Sequence, residues 1–167
     1  MAWTAEWDWE KAEKEFLKAL SINPNHAVSR MHYSHVLFIL QRPEEGIAQA
    51  NLAYRLDPLN PAIQSTYAAS LLGARDYISA FSILDKLLAS DPDNFLANNV
   101  MEPAAFQCGI LDRAFEAFKH FSPLEEGAMK MIEKIYNDKG FKAAYAAALQ
   151  ELEILSKDTY LVPTDMA

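Results

Sequence analysis

Ser21-Ile-Asn-Pro-Asn25 returns as Arg55-Leu-Asp-Pro-Leu59 and again as Ser90-Asp-Pro-Asp93, which places Pro24, Pro58 and Pro92 at intervals of 34 residues. Upstream of each proline a second pattern returns in the same register. It reads Ala12, Phe16, Ala19, then Gly46, Ala50, Ala53, then Ala80, Leu84, Leu87. A fixed period of this length marks a chain built from repeated supersecondary units, each of which buries its apolar face only by stacking on a neighbour. The small residue in the first column lets two helices approach closely. The later columns fill the space between neighbouring pairs.

The pattern resembles the second half of the tetratricopeptide repeat (TPR), written A-x3-F…P with a 34-residue period. The first half, W-x2-L-G-x2-Y, is looser. It reads Arg30, Tyr33, Ser34, Leu37 in one unit and Gln64, Tyr67, Ala68, Leu71 in the next, so the leading aromatic is lost and the small residue is kept. The resemblance implies an all-α fold, an α-solenoid of antiparallel helix pairs wound as a right-handed TPR-like superhelix.

Helix-end signals agree with this register. Asn60 is placed to cap a helix with Pro61 at its first position, where no N–H is needed. Asp76 can cap the next, and Pro43 followed by Glu44 and Glu45 opens another with acids at its positive end. The spacing predicts helices near 9–22, 26–41, 43–56, 61–73, 76–89, 94–108 and 111–121. The fourth unit departs from the pattern: Glu102 stands where a small residue belongs, Pro103 follows it, and Pro123 arrives three residues early. Pro103 predicts a kink that either bends the stack or frees the Asn99 carbonyl. Beyond it, Ser122 and Glu125 read as a capping box with Pro123 at the first helical position. Leu124, Ala128, Met131, Ile132 and Ile135 then share one face, and Phe141, Tyr145, Leu149, Leu152 and Leu155 define another. The expected organisation is one TPR-type domain over 1–167, a piece of a longer protein. Its repeats span about 9–121, a divergent helix pair covers 122–157, and a further helix begins at 163–167.

Trp7-Asp-Trp-Glu-Lys-Ala-Glu-Lys-Glu-Phe16, followed by Ile22-Asn-Pro-Asn25, resembles the C-terminal TPR regions of large bacterial signalling proteins. In that family the effector is a winged-helix DNA-binding module, a nucleotide cyclase or a kinase. The tail Tyr160-Leu-Val-Pro-Thr-Asp-Met-Ala167 is similar to a segment that opens another helix there.

Composition narrows the functional classes. A net charge of −8 with no Lys/Arg cluster argues against nucleic-acid or anionic-membrane partners. The single cysteine, Cys108, excludes an intrachain disulfide. No apolar run reaches spanning length, and the chain reads as cytoplasmic. No Gly-rich phosphate loop or nucleophile elbow is present, so no catalytic residue is expected and the chain reads as a non-enzyme; a hydrolase built on helical pairs is the remote rival. His32 and His35 lie one turn apart, but nothing nearby completes a metal site, and neither metal nor cofactor is expected.

The TPR resemblance also implies a ligand face. The first helix of each pair lines the concave side, with inward positions at Val28, Met31, His35 and Phe38, at Ala62, Ser65, Ala69 and Leu72, and at Leu96, Asn99, Pro103 and Phe106. The expected ligand-binding set is Met31, His35, Phe38, Ser65, Ala69, Leu72, Asn99 and Phe106, with Phe38 and Phe106 as aromatic anchors. The same residues can instead pack against neighbouring helices. TPR domains that grip a C-terminal carboxylate use Lys, Arg and Asn at such positions, and Lys and Arg are missing from this set. The expected function is a protein- or peptide-binding module with an apolar groove. The alternative is a regulatory or sensor region attached to an effector. Both ends of the sequence are expected to fall inside repeats. Apolar surface is therefore expected around Trp3, Trp7 and Phe16 and around Leu161 and Val162, with a homodimer as one consequence.

Overall fold

Among the described residues each helix is 11 to 15 residues long, too short to be stable alone in water, so packing between neighbours must supply the stability. The computed structural model describes residues 8–157. Within that range it is helical, with no strand. The helices are α1 (Trp9–Ile22), α2 (Ala27–Ile39), α3 (Pro43–Leu56), α4 (Pro61–Gly73), α5 (Tyr77–Ser90), α6 (Phe95–Gln107), α7 (Leu111–Phe121), α8 (Glu126–Lys139) and α9 (Phe141–Leu155). Trp3, Trp7, Leu161, Val162 and the expected helix at 163–167 lie outside the described residues. The chain divides after Val100 into two compact units.

The repeat is written into the helix ends. First helices are capped by His26, Asn60 and Asn94, which accept from the backbone N–H groups of Ser29, Ile63 and Ala97. Asp8 and Asp76 cap second helices through Lys11 and Ser79 in the same way. The turn inside each pair places one residue in the left-handed region, Gln41, Arg75 and Gly109, again 34 residues apart. Residues at the lost aromatic column hold the repeat prolines. Arg30 Nε donates to the Pro24 carbonyl at 2.8 Å, Gln64 Nε2 to Pro58 at 2.6 Å and Asn98 Nδ2 to Pro92 at 2.8 Å. Each clamp satisfies a turn carbonyl that no helix bond reaches.

In the first unit α1 packs on α2, α2 on α3, α3 on α4, and α4 on both α5 and α2. The small-residue column is buried as expected, with Ala12, Gly46 and Ala80 at the close contacts. Phe16 is half-buried, its ring stacked on Tyr33 at 6.1 Å, and contributes to the core with Val36 and Leu37. Glu13 accepts from the Tyr33 hydroxyl at 2.8 Å and from Arg42 at 2.6 Å, while Arg42 also grips Glu45. That network joins α1, α2 and the start of α3.

In the second unit Phe115, Phe118, Ile132, Ala144 and Ala148 form the core, with α9 packed on α8 and on α7. Three local expectations need correction. The Ser122–Glu125 capping box does not form: Ser122 Oγ accepts from Leu124 N at 3.4 Å and α8 begins only at Glu126. Ser122 is already the C-cap of α7, and residues 123–125, between it and α8, are not helical. Met131 is 44% exposed, and Met129 packs into the core instead. On α9, Leu149 is exposed, and Ala144 and Ala148 take the close contacts.

Candidate functional site

The inward positions of α2 and α4 and the first half of α6 bound a trough within the first unit. Its deeper part, about 360 Å³, is lined by Met31, His35, Ala62, Ser65, Leu96 and Asn99 together with His32, Thr66, Ala69 and Val100. A second hollow of about 350 Å³ shares His35, Thr66 and Ala69 and continues past Phe38, Ile39 and Gly73. The shared residues make the two hollows one trough along α2 and α4. Residues that recur on one helix face at the second, fifth and ninth positions of a repeat reach a common surface when the repeats stack.

Five of the eight residues expected at the site line the deeper hollow: Met31, His35, Ser65, Ala69 and Asn99. Phe38 lines the shallower one, but part of its ring is used in packing on Gly46. Leu72 is half-buried and lines neither. Phe106 belongs to the second unit, where it and Pro103 line a different cavity. Helix α6 runs through Pro103 as helix, and Asn99, which loses its helical donor to that proline, faces the trough. Sequence reasoning missed His32, Thr66 and Val100, which lie one residue beside expected positions. The width of a helical face would have suggested them.

The polar atoms of the trough are few and uncharged. Ser65 is 3% exposed, and its hydroxyl has no hydrogen-bond partner. A buried hydroxyl in that state carries an unmet desolvation cost. Neighbouring Ser34 and Ser70 bond to the carbonyls of Met31 and Thr66 instead. Burial lowers the pKa of His32 and of His35, and the charge of His32 lowers that of His35 further. The two rings meet edge to face at 6.2 Å. At neutral pH each therefore offers one N–H donor and one ring-nitrogen acceptor. No Lys, Arg, Asp or Glu lines either hollow. Among the described residues no three His, Cys, Asp or Glu side chains gather where a metal could bind. Among them also, no helix is long and apolar enough to cross a membrane.

No family model matches the chain, and no curated protein matches it by sequence. Among solved structures, the crystal structure of MamA, a TPR-like protein, aligns with a TM-score of 0.68 at 15% identity, covering 93% of this chain and 95% of MamA. Likeness at that identity carries the fold and nothing of the ligand. With the 34-residue period and the recurring caps and turns, it identifies the architecture as a TPR-like helical repeat.

Proposed function

We propose that the first unit is a protein-interaction module whose trough binds an apolar peptide segment. The observation that carries this reading is the buried, unpartnered Ser65 hydroxyl at the floor of a hollow walled by Met31, Ala62, Leu96 and Val100. Apolar walls supply affinity by removing peptide side chains from water. Ser65, Asn99 and the neutral imidazoles supply direction, since each can pair with a peptide N–H or C=O. The uncharged lining favours an internal segment over a free carboxylate terminus, because no cation waits to neutralise one.

Selection from a displayed random-peptide library tests this. The expected peptides are apolar, bind equally well with an amidated C-terminus, and lose at least about tenfold in affinity to the Ala69→Arg variant, about 1.4 kcal/mol. Ala69 is exposed and lines both hollows, so an arginine there blocks the trough without entering the core. Peptides that bind Ala69→Arg as well as the original chain would remove the trough from the proposal.

A further inference from the structure

Glu102 occupies the column that carries Ser34 and Ala68 in the two preceding repeats, and both of those are fully buried at close helix contacts. A position that elsewhere admits only a small group here bears a half-buried carboxylate. The Tyr145 hydroxyl donates to it at 2.8 Å, and among the described residues no Lys, Arg or His pairs with it. Burial, then this bond and the Glu102 charge, hold the Tyr145 phenol well above its ordinary pKa, so Tyr145 is a neutral donor to a carboxylate.

The same carboxylate lines a cavity of about 300 Å³ that lies wholly within the second unit. Its walls are the rings of Phe106, Phe118, Phe121 and Tyr145, completed by Leu149 and Leu152. The rings support one another: Phe118 lies 5.2 Å from Tyr145 and 6.0 Å from Phe121, and Phe106 stacks on Phe141 at 5.8 Å. Phe118 and Leu152 are buried, while Phe106 is 53% exposed and Leu149 44%, so the cavity has a closed floor and an open rim. The volume stands at the lower end of small-molecule sites.

We propose that this cavity binds a small organic cation, an ammonium group on a hydrocarbon body, with Glu102 as its counter-charge. A neutral apolar ligand would take water from the carboxylate and return nothing. An anion would be repelled. An ammonium group gains the ion pair and the negative faces of the surrounding rings, while its hydrocarbon body fills the apolar remainder.

Calorimetric titration of the full chain with phenethylammonium and with phenethyl alcohol, its neutral counterpart, decides the matter. The cation is expected to bind at least about tenfold more tightly than the alcohol. Glu102→Gln, which still accepts from Tyr145, brings the two affinities within about twofold of each other by removing the charge contribution. Tyr145→Phe, which keeps the carboxylate, retains the preference. Should Glu102→Gln fail to fold, Phe106→Ala, at an exposed ring, is expected to weaken the cation severalfold. Equal affinities in the original chain, unchanged cation binding in a folded Glu102→Gln or Phe106→Ala variant, or no binding of either probe at millimolar concentration overturns the proposal.

Discussion

The Phe38 ring lies so close to Gly46 that a β-carbon there would stand 2.9 Å from its Cδ2 and Cε2, and 3.2 Å from the Ser34 carbonyl oxygen. The two residues occupy columns eight apart, which the next pairs fill with Leu72 and Ala80 and with Phe106 and Ala114. A glycine accompanies the large ring, and an alanine accompanies the leucine. Where Phe106 meets an alanine column, its ring is 53% exposed and stacks on Phe141 instead.

Gly46→Ala should therefore destabilise the fold. Overpacking costs about 1–3 kcal/mol, against about 1 kcal/mol gained from helix propensity. The loss should disappear in the double variant Gly46→Ala with Phe38→Leu, which recreates the Leu72–Ala80 pairing. Urea unfolding of the two single variants, Gly46→Ala and Phe38→Leu, and of the double variant measures the coupling, and simple additivity would show that ring and glycine do not interact.

The left-handed turn residues give opposite expectations at equivalent positions. Arg75 at φ 62° and Gln41 at φ 59° bear side chains where only Gly109, at φ 71°, is free of the steric cost. Arg75→Gly should stabilise by about 0.5–1 kcal/mol, and Gly109→Ala should destabilise by about 1 kcal/mol. Thermal unfolding reads both. A loss of stability in Arg75→Gly would mean that the arginine makes contacts worth more than its strain.

Acid should weaken the fold through the trough. His32 and His35 are held neutral, with pKa values lowered from 6.5 by burial and, for His35, by the His32 charge. The unfolded chain takes up protons near 6.5, so their contribution is present above that pH and lost as pH falls through the lowered folded values. The urea midpoint should drop between pH 7 and 5, and His35→Gln should flatten the drop. A midpoint independent of both pH and substitution would contradict the burial of the two rings.

Most of the fold was legible because the determinants are local and periodic. Pro61 and Pro43 start helices where the sequence placed them, Asn60 and Asp76 cap as expected, and the small column packs. The clamps by Arg30 and Gln64 were visible as polar residues at the same period, but they read as lost aromatics because the partner is a backbone carbonyl. The site was partly legible for a related reason. Met31, His35, Ser65, Ala69 and Asn99 share a trough because the repeats that carry them keep register. Phe106 was read from the same register, but Phe141 and Tyr145 come from a helix pair outside it and build a separate cavity around that ring. The Ser122 capping box failed because Ser122 closes α7 and the next helix starts four residues later, at Glu126, a shift that a spacing rule does not contain.

Ser65 should matter for binding and hardly at all for stability. Its hydroxyl makes no hydrogen bond in the protein, so Ser65→Ala removes an unsatisfied group and should leave the unfolding free energy unchanged or slightly raised. Affinity for a library-selected peptide should fall by about 1 kcal/mol, the net value of one hydrogen bond. Equal losses in stability and binding would assign the hydroxyl a structural role.

In the proposed function the trough between α2, α4 and the start of α6 is the binding surface. The measurement that reaches it most directly is chemical-shift mapping of the isotope-labelled chain during titration with a library-selected peptide. The largest shifts should fall on Met31, His35, Ser65, Ala69 and Asn99, and disappear in Ala69→Arg. Shifts concentrated on α8 and α9, with these five residues unmoved by a bound peptide, would contradict it.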